Sequence, residues 1–176
     1  MVGTLEDIRK AFERSDDVML RRLAVDFAKR AAIEHNRGLA QAAVISYALS
    51  KLLTKSHIVQ SPLWPRYRHA IISAIKDAEL GRETDVLNRI ERTIWRIDDS
   101  DGHFVKNIIE KARAKMAAEA YATGISLYLA GKLFEADIHD LSDYVGKMRV
   151  HDEVPTKIGI RERVEALRRL VHENRS

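Results

Sequence analysis

The chain holds seven histidines, 26 acidic residues and 30 lysines and arginines, but no cysteine, and their spacing decides which chemistries are open to it. Without a thiol there is no disulfide, no thiolate zinc site and no cysteine nucleophile. The histidines do not gather. No His-Glu-x-x-His run is present and no two histidines stand four residues apart. His139 and Asp143 are at i, i+4 and His151 adjoins Asp152, which gives at most a two-ligand surface contact. No metal and no cofactor is expected. The carboxylate pairs Asp16 and Asp17, and Asp98 and Asp99, fall at predicted helix ends, where capping and the helix dipole account for them. There is no glycine-rich phosphate loop and no Gly-x-Ser-x-Gly elbow. What remains is arginine followed at short range by histidine: Arg30 with His35, and Arg96 with His103.

That spacing resembles the Arg-x(4–6)-His signature of HEPN domains, an all-helical family of toxin ribonucleases in which the pair contacts and cleaves RNA. The resemblance implies Arg30 and His35 as the catalytic pair if the chain is an enzyme. Arg96 and His103 straddle a predicted break, so one helix does not present both. An exposed helix end with a basic residue favourable to the dipole accounts for Arg30 and His35 without catalysis. The reading adopted is therefore non-enzymatic, with a ribonuclease as the alternative.

Arginines also cluster near the C-terminus, where Arg161, Arg163, Arg168 and Arg169 present forks that match phosphate oxygens. Each has an acidic neighbour within about one helical turn, such as Glu165, which predicts a solvated ion-pair face instead. The same helix has a narrow apolar stripe of Val164, Leu167 and Val171, suited to docking on the body of the protein or on a second copy through 160–174. An uncompensated basic face and large apolar residues are missing, so no membrane-surface role is expected. The net charge of +4 is thinly spread: lysine plus arginine against aspartate plus glutamate is 10 against 7 over residues 1–60, 7 against 7 over 61–100 and 13 against 12 over 101–176. Charge alone names no polyanion partner.

These residues must be positioned by helices, because no run alternates with the period of a strand. Thr4 caps a first helix with Leu5, Ile8, Ala11 and Phe12 on one face, and Ser15, Asp16 and Asp17 break it and offer caps for a second with Leu20, Leu23, Ala24, Phe27 and Ala31 inward. A third carries Leu39, Ala42, Ser46, Leu49 and Leu53, pairing antiparallel with the second across an Asn36–Gly38 turn. No second copy at a fixed period appears, so no repeat architecture is read. Residues 56–65 interrupt the helices, and Ser61-Pro62 starts the next, with Trp64, Tyr67, Ile71, Ile75 and Ala78 inward. Val86, Leu87, Ile90, Ile94 and Ile97 mark a further helix, ended by Asp98–Gly102. Phe104 to Ala120 make a long one.

The stretch 121–151 is organised like a small module. Gly124 ends one helix, Ser126 caps the next, and Asp137 caps a short third that Gly146 ends. The run GISLYLAGKLFEADIHDLSDYVG resembles the helix-turn-helix of small prokaryotic antitoxin-like proteins and related transcription regulators, over about a fifth of the chain. Ala130 and Gly131 match that family's small pair and Leu141 its buried second-helix position. Glu135 stands where the family has a turn glycine. His139, Asp140 and Asp143 lie on the outer side of the second helix, where carboxylates lose Coulomb energy against phosphate. If DNA is bound directly, the resemblance implies Lys132, Lys147 and Arg149 on phosphates, with His139 and Ser142 nearest base edges.

The expected fold is all-α: a bundle of about nine helices, residues 1–100 forming an N-terminal part and 101–176 a helix-turn-helix-like tri-helical part, separate or as one compact domain. The composition, 45% hydrophobic and 32% charged, is globular. Few Asn and Gln with many Ile, Arg and Glu fit a thermophile. No apolar run reaches bilayer length and the N-terminus is not signal-like, which predicts a cytoplasmic protein. The expected function is a binding protein whose partner is nucleic acid or a protein that acts on it, with a purely structural protein–protein module as a further alternative.

Overall fold

Nine helices form the described part of the chain in a computed structural model, and among the described residues there is no strand. The structure describes residues 4–79, 86–100 and 108–151, without the side chains of residues 78, 86, 98–100 and 147–151. The helices are α1 (Leu5–Glu13), α2 (Asp17–Glu34), α3 (Arg37–Leu53), α4 (Ser56–Val59), α5 (Trp64–Glu79), α6 (Val86–Ser100), α7 (Ile108–Ala122), α8 (Leu127–Phe134) and α9 (Ile138–His151). No described helix is long and apolar enough to cross a membrane.

Side-chain caps start the helices, and Asn36, expected within an Asn36–Gly38 turn, is itself the cap of α3, which begins at Arg37. Thr4 forms a reciprocal capping box with Asp7, Asp16 accepts from the Met19 amide at 2.8 Å, Asn36 from Leu39 at 3.2 Å, and Ser126 from Leu129 at 3.1 Å. The α2–α3 hairpin turns through His35 and Asn36 alone and makes the most extensive helix contact described. Buried Ala24, Ala28, Ala31 and Ala32 on α2, with Ala40, Ala43 and Ala48 on α3, remove the bulk that holds helices apart. Ser46 and Ser50 are buried with them, and each hydroxyl donates to a carbonyl one turn back at 2.7 Å, so neither is left unsatisfied. Helix α7 lies along this hairpin with Ile109, Ala112, Met116 and Ala120 inward.

Helix α1 is fastened to α5. Phe12 meets Trp64 edge-on, with ring centroids 6.0 Å apart. Arg68 donates to the Glu13 carbonyl at 2.6 Å, and Arg9 bridges Glu13 at 3.0 Å and Glu79 at 2.9 Å. One buried cluster runs from Ile8 on α1 to Leu141 on α9.

Several expected boundaries move. The interruption at 56–65 contains the four-residue α4, and residues 61–63 are turn, so α5 starts at Trp64 and not at Ser61-Pro62. Helix α6 continues through Asp98 and Asp99 to Ser100, and α9 passes Gly146 to reach His151. Glycine in a helix costs only about 1 kcal/mol, which a longer run of hydrogen bonds absorbs. The C-terminal helix expected over 160–174, with the apolar stripe it carries, lies outside the described residues, as does His103.

Candidate nucleic-acid interface

Helices α5 and α6 run antiparallel. Asp77 near the end of α5 pairs with Arg89 near the start of α6 at 3.7 Å, while Arg66 at the start of α5 shares a cleft with Arg96 near the end of α6. Burial of Ile71, Ala74 and Ile75 on one side, and Ile90, Ile94 and Ile97 on the other, fixes how each helix is rotated about its axis. Rotation then aims Arg66 and Tyr67 toward Thr93 and Arg96. These four, with Leu63 and Ala70, line an open cleft of about 360 Å³. Both arginines are exposed, and among the described residues neither forms an ion pair or a side-chain hydrogen bond. Tyr67 is half-buried against the core and its hydroxyl has no described partner. The Thr93 hydroxyl donates to the Arg89 carbonyl at 3.0 Å.

A second cleft, of about 220 Å³, opens between α3, α6, α7 and α8 and is lined by Arg37, Gln41, Glu91, Arg113, Phe134 and Glu135 among others. Here charge is already neutralised. Arg113 reaches Glu91 at 2.6 Å and Glu135 at 3.3 Å, and Gln41 donates to Asn88 at 2.7 Å. Such a cleft clamps helices and offers an anion little field.

The helix-turn-helix residues are placed as follows. Ala130 and Leu141 are fully buried, and the chain turns at Glu135, whose φ of 53° is the left-handed conformation that glycine adopts most readily. Lys132, His139 and Ser142 are exposed on α8 and α9, while the side chains of Lys147 and Arg149 lie outside the described residues. Asp137, Asp140 and Asp143 are exposed on the same segment. The amides of Asp140 and then His139 donate to Asp137 and hold its carboxyl below the usual carboxylate range, so this face stays anionic. Tyr128, on α8, is 72% exposed.

Helix α9 is tied to α7 through Lys115, which pairs with Glu119 at 2.8 Å and lies 5.5 Å from the Tyr144 ring centroid. Burial pulls the Lys115 ammonium down, but the Glu119 hydrogen bond and charge, aided by Tyr144, outweigh it and hold the pKa above the ordinary lysine value. The chain matches no family model, no curated protein and no solved structure. Geometry alone therefore carries the functional reading.

Arg30 sits one turn before the end of α2 and His35 is its C-cap. Arg30 Nε contacts Glu34 at 3.3 Å, and His35 has a left-handed φ of 51° with its side chain exposed. Among the described residues no three of His, Asp and Glu come together to hold a metal. Sequence reasoning missed the α5–α6 cleft. The inward position of Tyr67 is legible in the sequence and its packing against the core agrees, but the sequence shows Arg96 only by its distance from His103 and marks nothing at Arg66. The signal available was Arg89, Arg92 and Arg96 at i, i+3 and i+7 on one face of α6.

Proposed function

We propose that this chain is a non-enzymatic helical binding protein that associates with nucleic acid by gripping phosphate in the α5–α6 cleft. The observation that carries it is the pair Arg66 and Arg96: two guanidinium groups from different helices line one concavity, and neither is spent on a carboxylate among the described residues. A guanidinium fork matches phosphate oxygens, and releasing condensed counterions drives the contact. The reading keeps the cytoplasmic setting expected from the sequence.

The helix-turn-helix resemblance enters with a changed role. Phosphate is repelled by Asp137, Asp140 and Asp143, so the α8–α9 face serves a protein partner, with exposed Tyr128 supplying apolar contact. The competing version puts Lys132, Lys147 and Arg149 on phosphate, with His139 and Ser142 at base edges.

A salt titration of binding to mixed duplex DNA and to single-stranded RNA tests both. With Arg66→Ala and Arg96→Ala together, affinity falls and the slope of log affinity against log salt shrinks by about 0.7 per lost contact on a single strand. Charge reversal of Lys147 and Arg149 leaves the slope unchanged. The opposite pattern returns the interface to α9, and no salt-dependent binding overturns the proposal. Gel analysis of the same RNA addresses the ribonuclease alternative, which requires cleavage abolished by Arg30→Ala or His35→Ala.

A further inference from the structure

The α5–α6 cleft pairs its two arginines with an aromatic wall, and that combination selects a form of nucleic acid. Duplex phosphates are convex and regularly spaced, and a flat row of cations suffices to hold them. A concavity with a ring inside it has no duplex counterpart, since paired bases keep their faces stacked on one another. An unpaired nucleotide offers a free base face and flexible phosphates on either side, and positively charged grooves with aromatic platforms bind single strands for that reason. Three features of the cleft match that ligand. Its volume of about 360 Å³ accommodates a single base with its sugar. Tyr67 lines it with a hydroxyl that has no described partner, and Thr93 adds a second hydroxyl within reach of a base edge. Leu63, 46% exposed at the rim, extends the apolar surface beside the ring.

Resting on the phosphate-binding reading above, we infer that the cleft takes one unpaired nucleotide of a single strand, its base against Tyr67 and its flanking phosphates on Arg66 and Arg96. Trp95, 38% exposed, precedes Arg96 on α6 and offers a second aromatic surface on the same helix. The ligand chemistry, a base carrying phosphates, is shared by a free nucleotide. Two arginines from different helices hold phosphates on both sides of the base, which a strand has and a free nucleotide lacks.

The test uses the full chain with a labelled mixed-sequence single-stranded RNA of 12 nucleotides, the same RNA as a duplex, inorganic polyphosphate and a free nucleoside triphosphate, all read by anisotropy or competition. The single strand is expected to bind at least about tenfold more tightly than the duplex, and polyphosphate and the free nucleotide to compete poorly. Tyr67→Leu lowers single-strand affinity about tenfold with the salt slope unchanged, whereas Tyr67→Phe, which keeps the ring and the packing, retains most of it. Tyr67→Phe binding like the native chain while Tyr67→Leu is weak, with both showing native circular dichroism, separates stacking from misfolding. Equal affinity for strand and duplex, with Tyr67→Leu harmless but the arginine double variant still flattening the salt slope, overturns this inference and leaves the phosphate reading standing. Loss of all salt-dependent binding overturns both. A free nucleotide that competes as well as the 12-mer overturns the strand in favour of a small-molecule site.

Discussion

Three residues, Ser15, His35 and Glu135, close helices in the left-handed region with φ of 55°, 51° and 53°. In each case the following amide donates to a carbonyl five residues back: Asp16 to Ala11, Asn36 to Ala31 and Ala136 to Gly131. That is the turn in which glycine is favoured, because a Cβ crowds the next carbonyl at a cost of about 1–2 kcal/mol. Glycine recovers that cost and loses about 0.4–1 kcal/mol through the freer unfolded chain. His35→Gly is therefore expected to stabilise the protein by about 0.5–1 kcal/mol in urea unfolding, with an unchanged dependence on denaturant. Glu135→Gly gains less, because it also removes the 3.3 Å contact to Arg113, which then keeps only Glu91. A larger gain at 135 than at 35 would show that this contact contributes nothing. The sequence contains the sites of these turns but not their strain. Glu135 was legible as the place of a missing glycine, while His35 reads equally as the histidine of an Arg-His pair.

At the scale of the helix, period and caps made most of the fold legible. Ile8, Phe12, Leu20, Phe27, Leu49, Ile71, Ile90, Ile94 and Met116 repeat at helical spacing and are buried, and Thr4, Asp16, Ser126 and Asp137 stand as caps. Illegible were the points at which glycine and aspartate are outvoted by their neighbours. Asp98 and Asp99 continue α6, and Gly146 continues α9. The expected nine helices and the described nine agree in number without being the same set: α4 was unforeseen and 160–174 lies outside the described residues. The cleft was hidden for a different reason. Arg66 and Arg96 are 30 residues apart, and only the antiparallel register of α5 and α6 brings them together. For Gly146 the two readings make opposite predictions. If α9 runs through it, as here, Gly146→Ala stabilises by about 1 kcal/mol, since an added Cβ meets nothing within 4 Å and the φ is not left-handed. If Gly146 ended the helix in the left-handed region, alanine would be destabilising. Thermal unfolding of the single variant decides it.

Across the whole molecule, the sequence offers a division near residue 100, marked by Asp98, Asp99, Ser100, Asp101 and Gly102, whereas the described helices on either side share side chains in one core. Helix α7 packs on α2 and α3, α8 also touches α3, and Met116, fully buried, belongs to the same cluster as Phe27 and Leu49. A core that is continuous in this way unfolds as one unit, because removing α7 exposes the apolar face of the α2–α3 hairpin. The two tryptophans make the point measurable. Trp64 packs on Phe12 and Trp95 stands on α6, so fluorescence reports the N-terminal helices while far-ultraviolet circular dichroism reports them all. Urea curves from the two probes are expected to coincide. Met116→Ala, which empties a buried site on α7, is expected to shift both midpoints together by the equivalent of about 2–5 kcal/mol. Were the two parts independent, Met116→Ala would move the circular dichroism curve and leave the tryptophan transition in place. Single-strand binding at the α5–α6 cleft would then survive the loss of α7, whereas a shared core requires the cleft to fail with it.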